Sequence, residues 1–232
     1  MTTILIDADI VAYRCAASCE KQGVVTEPYE VALDRIDDLM QRIMYACQAS
    51  SYEAFLTGSN NFRYDIYPDY KGNRKDVRRP EYLQECREHL VTGWNATVSD
   101  GNEADDEMGL RQTGDTIICS IDKDLLMIPG RHYNFVKDEH QEVSQTLGLQ
   151  NFYWQLIMGD KSDNILGYDG KMRTTVPKFL QELQNALFSF TEERDMYELV
   201  LSVYQDPDLL PVMAKCLWIQ QKDRIEWEPP KN

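Results

Sequence analysis

Two short apolar segments that each end in a pair of aspartates constrain the fold of this chain most. Residues 3–9 read Thr-Ile-Leu-Ile-Asp-Ala-Asp, and residues 116–124 read Thr-Ile-Ile-Cys-Ser-Ile-Asp-Lys-Asp. A continuous apolar run with β-branched residues is typical of a strand covered on both faces, as in a parallel sheet. Because ligands of open α/β sheets bind beyond the carboxyl ends of the strands, these acids are predicted at a functional edge. Asp7 by itself is explained equally well as the cap of the next helix.

The segments around these two strands complete an α/β pattern. Apolar residues recur at helical spacing over residues 30–49, and further strands are predicted at 53–58 and 96–98. Residues 133–145 alternate weakly, as a hairpin does, and helices are predicted after residue 178. We therefore predict an α/β fold with a central, mostly parallel sheet flanked by helices and a helical C-terminal region.

The composition is that of a globular protein without a membrane segment. No apolar run approaches about 18 residues, no signal peptide precedes the first strand, and the six cysteines include no Cys-x-x-Cys pair. These features predict a soluble cytoplasmic protein with reduced thiols, no membrane partner and a monomeric state. The net charge of −15 argues against a polyanionic partner unless the bases are concentrated in one place.

Such a concentration occurs in residues 62–80, where aromatic rings are interleaved with bases. Interleaved rings and cations are what a protein surface needs to stack nucleic-acid bases and to neutralise phosphates. A solvated basic loop is the plain alternative. A helix is predicted from Pro80 through Val91, leading back to the body of the protein.

Acidic side chains gather at four places, each beside an apolar segment. They are Asp7, the cluster Glu103, Asp105 and Asp106, the pair Asp122 and Asp124, and the pair Asp160 and Asp163. The histidines and cysteines lie elsewhere, and oxygen ligands alone favour Mg²⁺ or Mn²⁺ over Zn²⁺. These carboxylates outnumber the protein ligands of one hard cation that keeps several water molecules. We therefore predict two ions about 4 Å apart, as in metal-dependent phosphodiester hydrolysis.

The last of these pairs lies in residues 159–165, which read Gly-Asp-Lys-Ser-Asp-Asn-Ile. The three-residue spacing puts Asp160 and Asp163 on one face if the segment is helical. Ordinary turn chemistry explains the stretch when it is taken alone. The acids upstream favour a functional role.

Taken in order, the motifs resemble those of the 5′-3′ exonuclease and flap endonuclease family, most of all its compact phage members. The matching stretches are residues 6–9, 62–63, 70–74, 103–106, 120–124 and 159–165. The resemblance implies a PIN-like nuclease domain over residues 1–165 with a basic helical arch at about 62–92. It also implies a helical region over residues 166–232 that packs as part of the same unit and carries a hairpin that binds DNA.

The same resemblance implies a substrate and cofactors. DNA is the expected partner, with 5′ ends, flaps or branched duplex as substrates and RNA:DNA hybrid as an open alternative. Two Mg²⁺ ions are the expected cofactor, with Mn²⁺ as a substitute. A phage-encoded protein would act in replication or recombination in the host cytoplasm.

Individual roles follow from the resemblance as well. One metal ion would be held by Asp7, Glu103, Asp105, Asp122 and Asp124, and the other by Asp160 and Asp163, with Asp106 bridging or adjacent. Lys71 and Arg74 would contact the scissile phosphate and stabilise its developing charge. Nucleic-acid contacts are expected from Arg63, Tyr70, Lys75, Arg78, Arg79, Lys171 and Arg173.

The chain departs from the family pattern in two places. Many members carry an aspartate after the second strand, whereas residues 55–58 here read Phe-Leu-Thr-Gly. One ligand is therefore absent, or replaced by water or by another acid such as Asp9. The family hairpin, Gly-x-x-Gly-Ile-Gly, survives only as Gly167 and Gly170, followed by Lys-Met-Arg.

Two other functions stay open at this point. A haloacid-dehalogenase-type phosphatase would use Asp7-x-Asp9 and Gly159-Asp160-x-x-Asp163 as its first and last motifs, but it assigns no role to the other acids or to the basic segment. A non-catalytic nucleic-acid-binding or replication-accessory module with the same fold is supported by the missing aspartate and the altered hairpin. Cleavage of DNA in Mg²⁺ separates these alternatives from a nuclease.

Overall fold

The structure, a computed structural model, describes residues 2–75 and 77–231. Its strands are β1 (Thr3–Asp7), β2 (Glu20–Lys21), β3 (Val24–Val25), β4 (Ser51–Leu56), β5 (Thr97–Val98), β6 (Thr116–Cys119), β7 (Gly130–Asn134) and β8 (Glu139–Val143). Its α-helices are α1 (Ala8–Ser18), α2 (Tyr29–Ala46), α3 (Arg63–Ile66), α4 (Leu83–Trp94), α5 (Ala104–Arg111), α6 (Gln145–Met158), α7 (Gln181–Leu187), α8 (Glu193–Val203) and α9 (Leu209–Leu217). Short 3₁₀ turns occupy Gly72–Arg74, Asp124–Met127 and Lys178–Leu180.

The chain forms two compact units. Unit 1 comprises the residues up to Asn61 together with Arg78–Leu125 and Gly130–Glu142. Unit 2 comprises Phe62–Val77, Leu126–Pro129 and the residues from Val143 onwards. The sequence-based division between residues 165 and 166 differs from the boundaries of these units and stays a prediction.

A six-stranded sheet in the order β5-β4-β1-β6-β7-β8 organises unit 1. Strand β1 pairs in parallel with both β4 and β6, and the pairs β4–β5 and β6–β7 are parallel too. The prediction of a central, mostly parallel sheet flanked by helices is confirmed. Strands β7 and β8 are neighbours joined by four residues, where the sequence pattern predicted a hairpin.

Strand β1 occupies the middle of the sheet because its residues are apolar on both faces. Ile4, Leu5 and Ile6 are fully buried, and Ile4 and Ile6 pack in one core with the apolar faces of α1 and α2. Such burial stabilises the strand by about 25 cal/mol for each Å² of apolar surface removed from water. The carboxyl ends of β1 and β6 therefore lie side by side in the sheet, with Ile6 opposite Cys119.

Unit 2 has its own core around α6. Phe152 meets the ring of Trp218 edge-on, with centroids 5.1 Å apart, and the ring of Trp227 lies tilted to it at 6.2 Å. The expected arch segment begins in this unit with α3 and the turn Gly72–Arg74, and it continues in unit 1 with α4. Asp76, in the middle of that segment, lies outside the described residues.

No helix in the described part of the chain is long and apolar enough to cross a membrane. All six cysteines are buried free thiols.

Candidate active site

Asp7 lies where β1 passes directly into α1. Its carboxylate caps the helix by accepting a hydrogen bond from the backbone N–H of Ile10 at 3.1 Å, and it accepts a second from the Ser120 hydroxyl at 2.6 Å. Burial, opposed by the hydrogen bond from Ser120 and helped by the nearby charges of Asp9 and Asp122, raises the pKa of Asp7 to about 7. The Asp7 side chain therefore caps α1 and also lies buried among other acids.

The turn after β6 faces Asp7. The backbone N–H of Asp122 donates to the Ser120 hydroxyl oxygen at 3.0 Å, and the N–H of Asp124 donates to Asp122 Oδ1 at 2.9 Å. The hydroxyl of Ser120 therefore links the carboxylate that ends β1 to the turn that carries Asp122. Parallel pairing of two strands with acidic ends brings the two aspartate motifs to one edge, as the sequence pattern indicated.

The acids at the start of α5 are occupied by helix capping. The backbone N–H of Glu103 donates to Asp106 Oδ2 at 3.0 Å, and the Glu103 side chain completes a reciprocal capping box. Asn61 Nδ2 also donates to Glu103 Oε1 at 2.7 Å. Asp106, expected to bridge or flank a metal ion, is fully buried as part of this cap, and Asp105 follows Glu103 in the first turn.

Three contacts at this edge, which join Arg87, Asp9 and Thr57, were not predicted from the sequence. Arg87, on α4, forms an ion pair with Asp9 and donates from Nη2 to the Thr57 carbonyl at 2.6 Å. Thr57 in turn donates its backbone N–H to Asp9 Oδ2 at 2.8 Å. Asp9, suggested as a substitute ligand for the missing aspartate, is engaged by a guanidinium and a backbone amide. Contacts between residues 78 positions apart leave no local pattern in the sequence.

Unit 2 holds the other pair of acids in a tight turn and not in a helix. Asp160 and Ile165 exchange two backbone hydrogen bonds of 2.8 Å, which close the loop that follows α6. Inside the loop, the N–H of Asp163 donates to Asp160 Oδ1 at 2.9 Å, and Gln155 Nε2 donates to Asp160 Oδ2 at 3.0 Å. The segment is therefore a turn, the alternative to a helix that the sequence left open, and the two acids are still adjacent.

The basic segment docks on this acidic loop. Arg74 pairs with Asp163 at 2.7 Å, the Lys71 ammonium lies 3.7 Å from the same carboxylate, and the Tyr70 hydroxyl donates to it at 2.7 Å. A backbone hydrogen bond joins the same two segments: the N–H of Lys71 donates to the Asp163 carbonyl at 2.9 Å. The structure thus brings together Lys71 and Arg74, both expected at the phosphate, with Asp163.

Two residues expected to contact nucleic acid are buried instead. Arg63 is 2% exposed, and its guanidinium donates to the carbonyls of Cys216 and Trp218, both at 2.8 Å. Tyr70 is also 2% exposed, so its ring face is not available for stacking on a base. As placed, both side chains support the fold of unit 2. An arginine and a tyrosine in a basic segment were expected at the surface. The sequence does not show that buried backbone carbonyls elsewhere in the chain need the Arg63 guanidinium as a hydrogen-bond donor.

The other predicted contacts lie at the surface or in ion pairs. Lys75, Arg79 and Lys171 are exposed. Arg78 forms two hydrogen bonds with the Glu20 carboxylate, at 2.6 and 3.1 Å. Arg173 binds the Asp169 carboxylate through both terminal nitrogens and holds the pKa of Asp169 below its ordinary value.

The donor set suits a hard divalent cation, although the side chains are turned toward protein partners. In residues 2–75 and 77–231, no group of three or more His, Cys, Asp or Glu side chains is arranged to hold a metal ion. The chemistry still fits, because the buried carboxyl of Asp7 is close enough to Asp9 and Asp122 for their charges to raise its pKa. A bound cation would relieve that repulsion, and carboxylate oxygens are the ligands that Mg²⁺ prefers.

Comparison with known proteins gives the fold. No known family profile matches the chain. The bacteriophage T5 D15 protein, crystallised with metal ions, superposes with a TM-score of 0.57 at 16% sequence identity, over 94% of this chain and 98% of the other. A variant of the T5 D15 flap endonuclease, in a pseudo-enzyme–product complex with DNA and metal ions, gives 0.57 at 17% identity with the same coverage. A variant of the T5 5′-exonuclease gives 0.51 at 16% identity, over 93% and 97% of the two chains. The chain therefore has the fold of the phage T5 5′-exonuclease and flap endonuclease.

Proposed function

We propose that this protein is a divalent-metal-dependent nuclease that hydrolyses DNA phosphodiester bonds at 5′ ends or flaps. The observation that carries the proposal is the hydroxyl bridge from Asp7 through Ser120 to the turn of Asp122, which ties two acidic strand ends to one edge. The shared fold with T5 nucleases, one of them solved with DNA and metal ions, supports it. Mg²⁺ is the proposed ion and Mn²⁺ its substitute, in a phage protein of replication or recombination.

The proposed metal ligands in unit 1 are Asp7, Glu103, Asp105, Asp122 and Asp124, with Asp106 behind them in the helix cap. Asp160 and Asp163 are the proposed ligands in unit 2. When bound, a pair of divalent cations supplies a hydroxide and stabilises the attacking and leaving oxygens of the phosphodiester. Ser120 orients Asp7 for this role through its 2.6 Å hydrogen bond.

The proposed phosphate contacts are Lys71 and Arg74. Both are cations at the same carboxylate, Asp163, which holds them in a defined orientation. Preorganised cations stabilise charge that develops on a phosphate without a further cost of reorganisation. The exposed bases Lys75, Arg79 and Lys171 bind the DNA backbone, whereas Arg63 and Tyr70 act inside the fold.

The experiment is a cleavage assay on 5′-labelled single-stranded, duplex, flap and RNA:DNA hybrid substrates, with Mg²⁺ and with EDTA. We expect products only with Mg²⁺, and none from Asp124→Asn, while that variant still binds DNA in Ca²⁺. The pattern of products also separates exonuclease from flap activity. Cleavage that persists in EDTA, or in Asp124→Asn, would refute the metal assignment.

A non-catalytic DNA-binding module is the second candidate, and one observation favours it: residues 55–58 read Phe-Leu-Thr-Gly, without the aspartate that many nucleases of the resembled family carry there. Such a module would bind the same substrates in Ca²⁺ and would leave all of them intact in Mg²⁺. A phosphatase of the haloacid-dehalogenase type would instead hydrolyse a small phosphate ester and form a phosphoaspartate at Asp7. Including such an ester in the assay tests that third possibility.

A further inference from the structure

Asp9 is the acid at the edge of the sheet that the proposed chemistry leaves unused. It lies two residues after Asp7, and both of its oxygens are engaged: Oδ1 by Arg87 and Oδ2 by the backbone N–H of Thr57 at 2.8 Å. A carboxylate that is already neutralised by a guanidinium and bound by an amide attracts a metal ion less than a carboxylate without a cation. Asp9 therefore connects the first turn of α1 to Arg87 and to the backbone of Thr57.

Arg87 reaches Asp9 from a helix that is itself fixed to unit 1. Just before α4, the Glu20 carboxylate binds the guanidinium of Arg78 and accepts a hydrogen bond from the backbone N–H of Glu81 at 2.6 Å. Further along the helix, the buried residues Cys86 and Leu90 pack in the core of the unit. The Arg87 side chain is 24% exposed, so the pair with Asp9 is partly shielded from solvent.

Thr57 carries the contact onward to α5. Its carbonyl accepts from Arg87 at 2.6 Å, and its hydroxyl oxygen accepts the backbone N–H of Ala104 at 3.0 Å. Ala104 is the first residue of α5 and follows Glu103 directly. One guanidinium thus connects the start of α1, the end of β4 and the first turn of α5.

We propose that Arg87 is a positioning residue of this active site. By holding Asp9 and the Thr57 carbonyl together, it sets the spacing between Asp7 and Glu103, two proposed ligands that lie on different elements, and it keeps Asp9 out of the ligand set. The inference rests on the proposed nuclease function for its kinetic consequence. Its structural part, the coupling of Asp9, Thr57 and Ala104, is independent of that function.

The kinetic test compares Arg87→Met with the wild type. Methionine keeps most of the apolar stem but loses the fork of donors. We expect kcat to fall by about tenfold to a hundredfold, because small displacements of reacting groups have costs of that size, while KM changes less than about twofold. Arg87→Lys should recover part of kcat, because an ammonium can still neutralise Asp9 but cannot reproduce the bidentate geometry.

Two further variants separate positioning from general destabilisation. Arg35→Met removes a guanidinium of the same unit, which lies in α2 and binds Glu27 at 2.6 Å and Ser18 at the end of α1. This variant should leave kcat unchanged. Asp9→Asn combined with Arg87→Met should be no slower than Arg87→Met alone, because both act through one contact. An additive loss, an equal loss in Arg35→Met, or an unchanged kcat in Arg87→Met would overturn the proposal.

The structural part is tested by amide hydrogen exchange at residue resolution, without substrate. We expect the amides of Thr57 and Ala104 to exchange about tenfold faster in Arg87→Met, while amides in α2 stay unchanged. If Arg87→Met does not fold, Thr57→Val, which removes only the hydroxyl acceptor, should accelerate exchange at Ala104. Unchanged exchange in these variants overturns the positioning role. Faster exchange in Arg87→Met, together with a wild-type protein that does not cleave DNA, refutes the nuclease function and leaves the coupling of Asp9, Thr57 and Ala104 intact.

Discussion

In unit 2, the carboxylate of Asp163 lies among cations that the protein itself supplies, Arg74 at 2.7 Å and Lys71 at 3.7 Å. In unit 1, Asp7 is buried with a hydroxyl and an amide as donors, and two other acids are near enough to raise its pKa. Asp9, two residues further on, pairs with the guanidinium of Arg87. Asp163 is therefore paired with cations of its own unit, whereas the buried carboxyl of Asp7 lies close to two other acids.

This difference indicates where an external cation has most to gain. Binding a divalent ion at the Asp7 edge removes repulsion between carboxylates, whereas binding one at Asp163 must compete with a lysine and an arginine. We therefore expect the acids of unit 1 to contribute most of the affinity for the metal. We expect Asp163 in unit 2 also to hold Lys71 and Arg74, the proposed phosphate-binding cations, in position.

The largest expected effect is that of Asp122→Asn. Cleavage should fall to background, because the substitution removes a proposed ligand, while thermal stability stays equal or rises slightly because the charge that raises the pKa of Asp7 is gone. The measurements are a Mg²⁺ cleavage assay and thermal unfolding. Asp115→Asn, an exposed acid just before β6, is the matched control and should cleave normally. Normal cleavage by Asp122→Asn would contradict the importance given to unit 1.

Next in size is Lys71→Ala. We expect kcat to fall by about a hundredfold through the loss of charge stabilisation, with only a few-fold weaker DNA binding in Ca²⁺. Single-turnover kinetics and equilibrium binding measure the two effects separately. Lys75→Ala, an exposed neighbour, should weaken binding without that drop in kcat. Equal losses of rate and affinity in Lys71→Ala would reduce Lys71 to a simple phosphate contact.

Arg63→Met tests the buried cation of unit 2. Two backbone carbonyls, of Cys216 and Trp218, lose a charged donor and remain buried, so the free energy of unfolding should fall by roughly 3 kcal/mol. Arg79→Met, at an exposed position, should change it by less than about 0.5 kcal/mol. Denaturant titration of both variants measures the difference. A small effect in Arg63→Met would restore this residue as a candidate for contact with DNA.

The smallest expected effect is stabilisation by Ca²⁺, which binds without supporting cleavage. At ten times its dissociation constant, Ca²⁺ should raise the free energy of unfolding by about 1.4 kcal/mol. This gain should disappear in Asp122→Asn and persist in part in Asp163→Asn. Calorimetric unfolding with and without Ca²⁺ provides the measurement. The opposite order of the two variants would reverse the comparison between the units.

Strand and helix placement was predictable because it depends on local patterns. The apolar runs before Asp7 and Asp122 became β1 and β6, and the helical periodicity over residues 30–49 became α2, with limits shifted by one to three residues. For Asp160 and Asp163 the sequence allowed either a helical face or an ordinary turn, and the exchange of hydrogen bonds between Asp160 and Ile165 closes a turn there. Local residue types are compatible with both conformations, so the choice between them depended on the folded backbone.

The residue types and their spacing indicate the chemistry of this protein: acids at the ends of apolar strands, a basic segment, and thiols and histidines outside both. These follow from residue types and their spacing, which physical chemistry links directly to burial and charge. Which charges meet depends on the fold. Arg63 donates to two backbone carbonyls, Asp9 pairs with Arg87 and Asp163 pairs with Arg74. Each of these contacts joins positions more than 70 residues apart, so no local sequence pattern predicts it. Whether an acid is neutralised by the protein or left for a cation depends on those pairings and therefore on the fold.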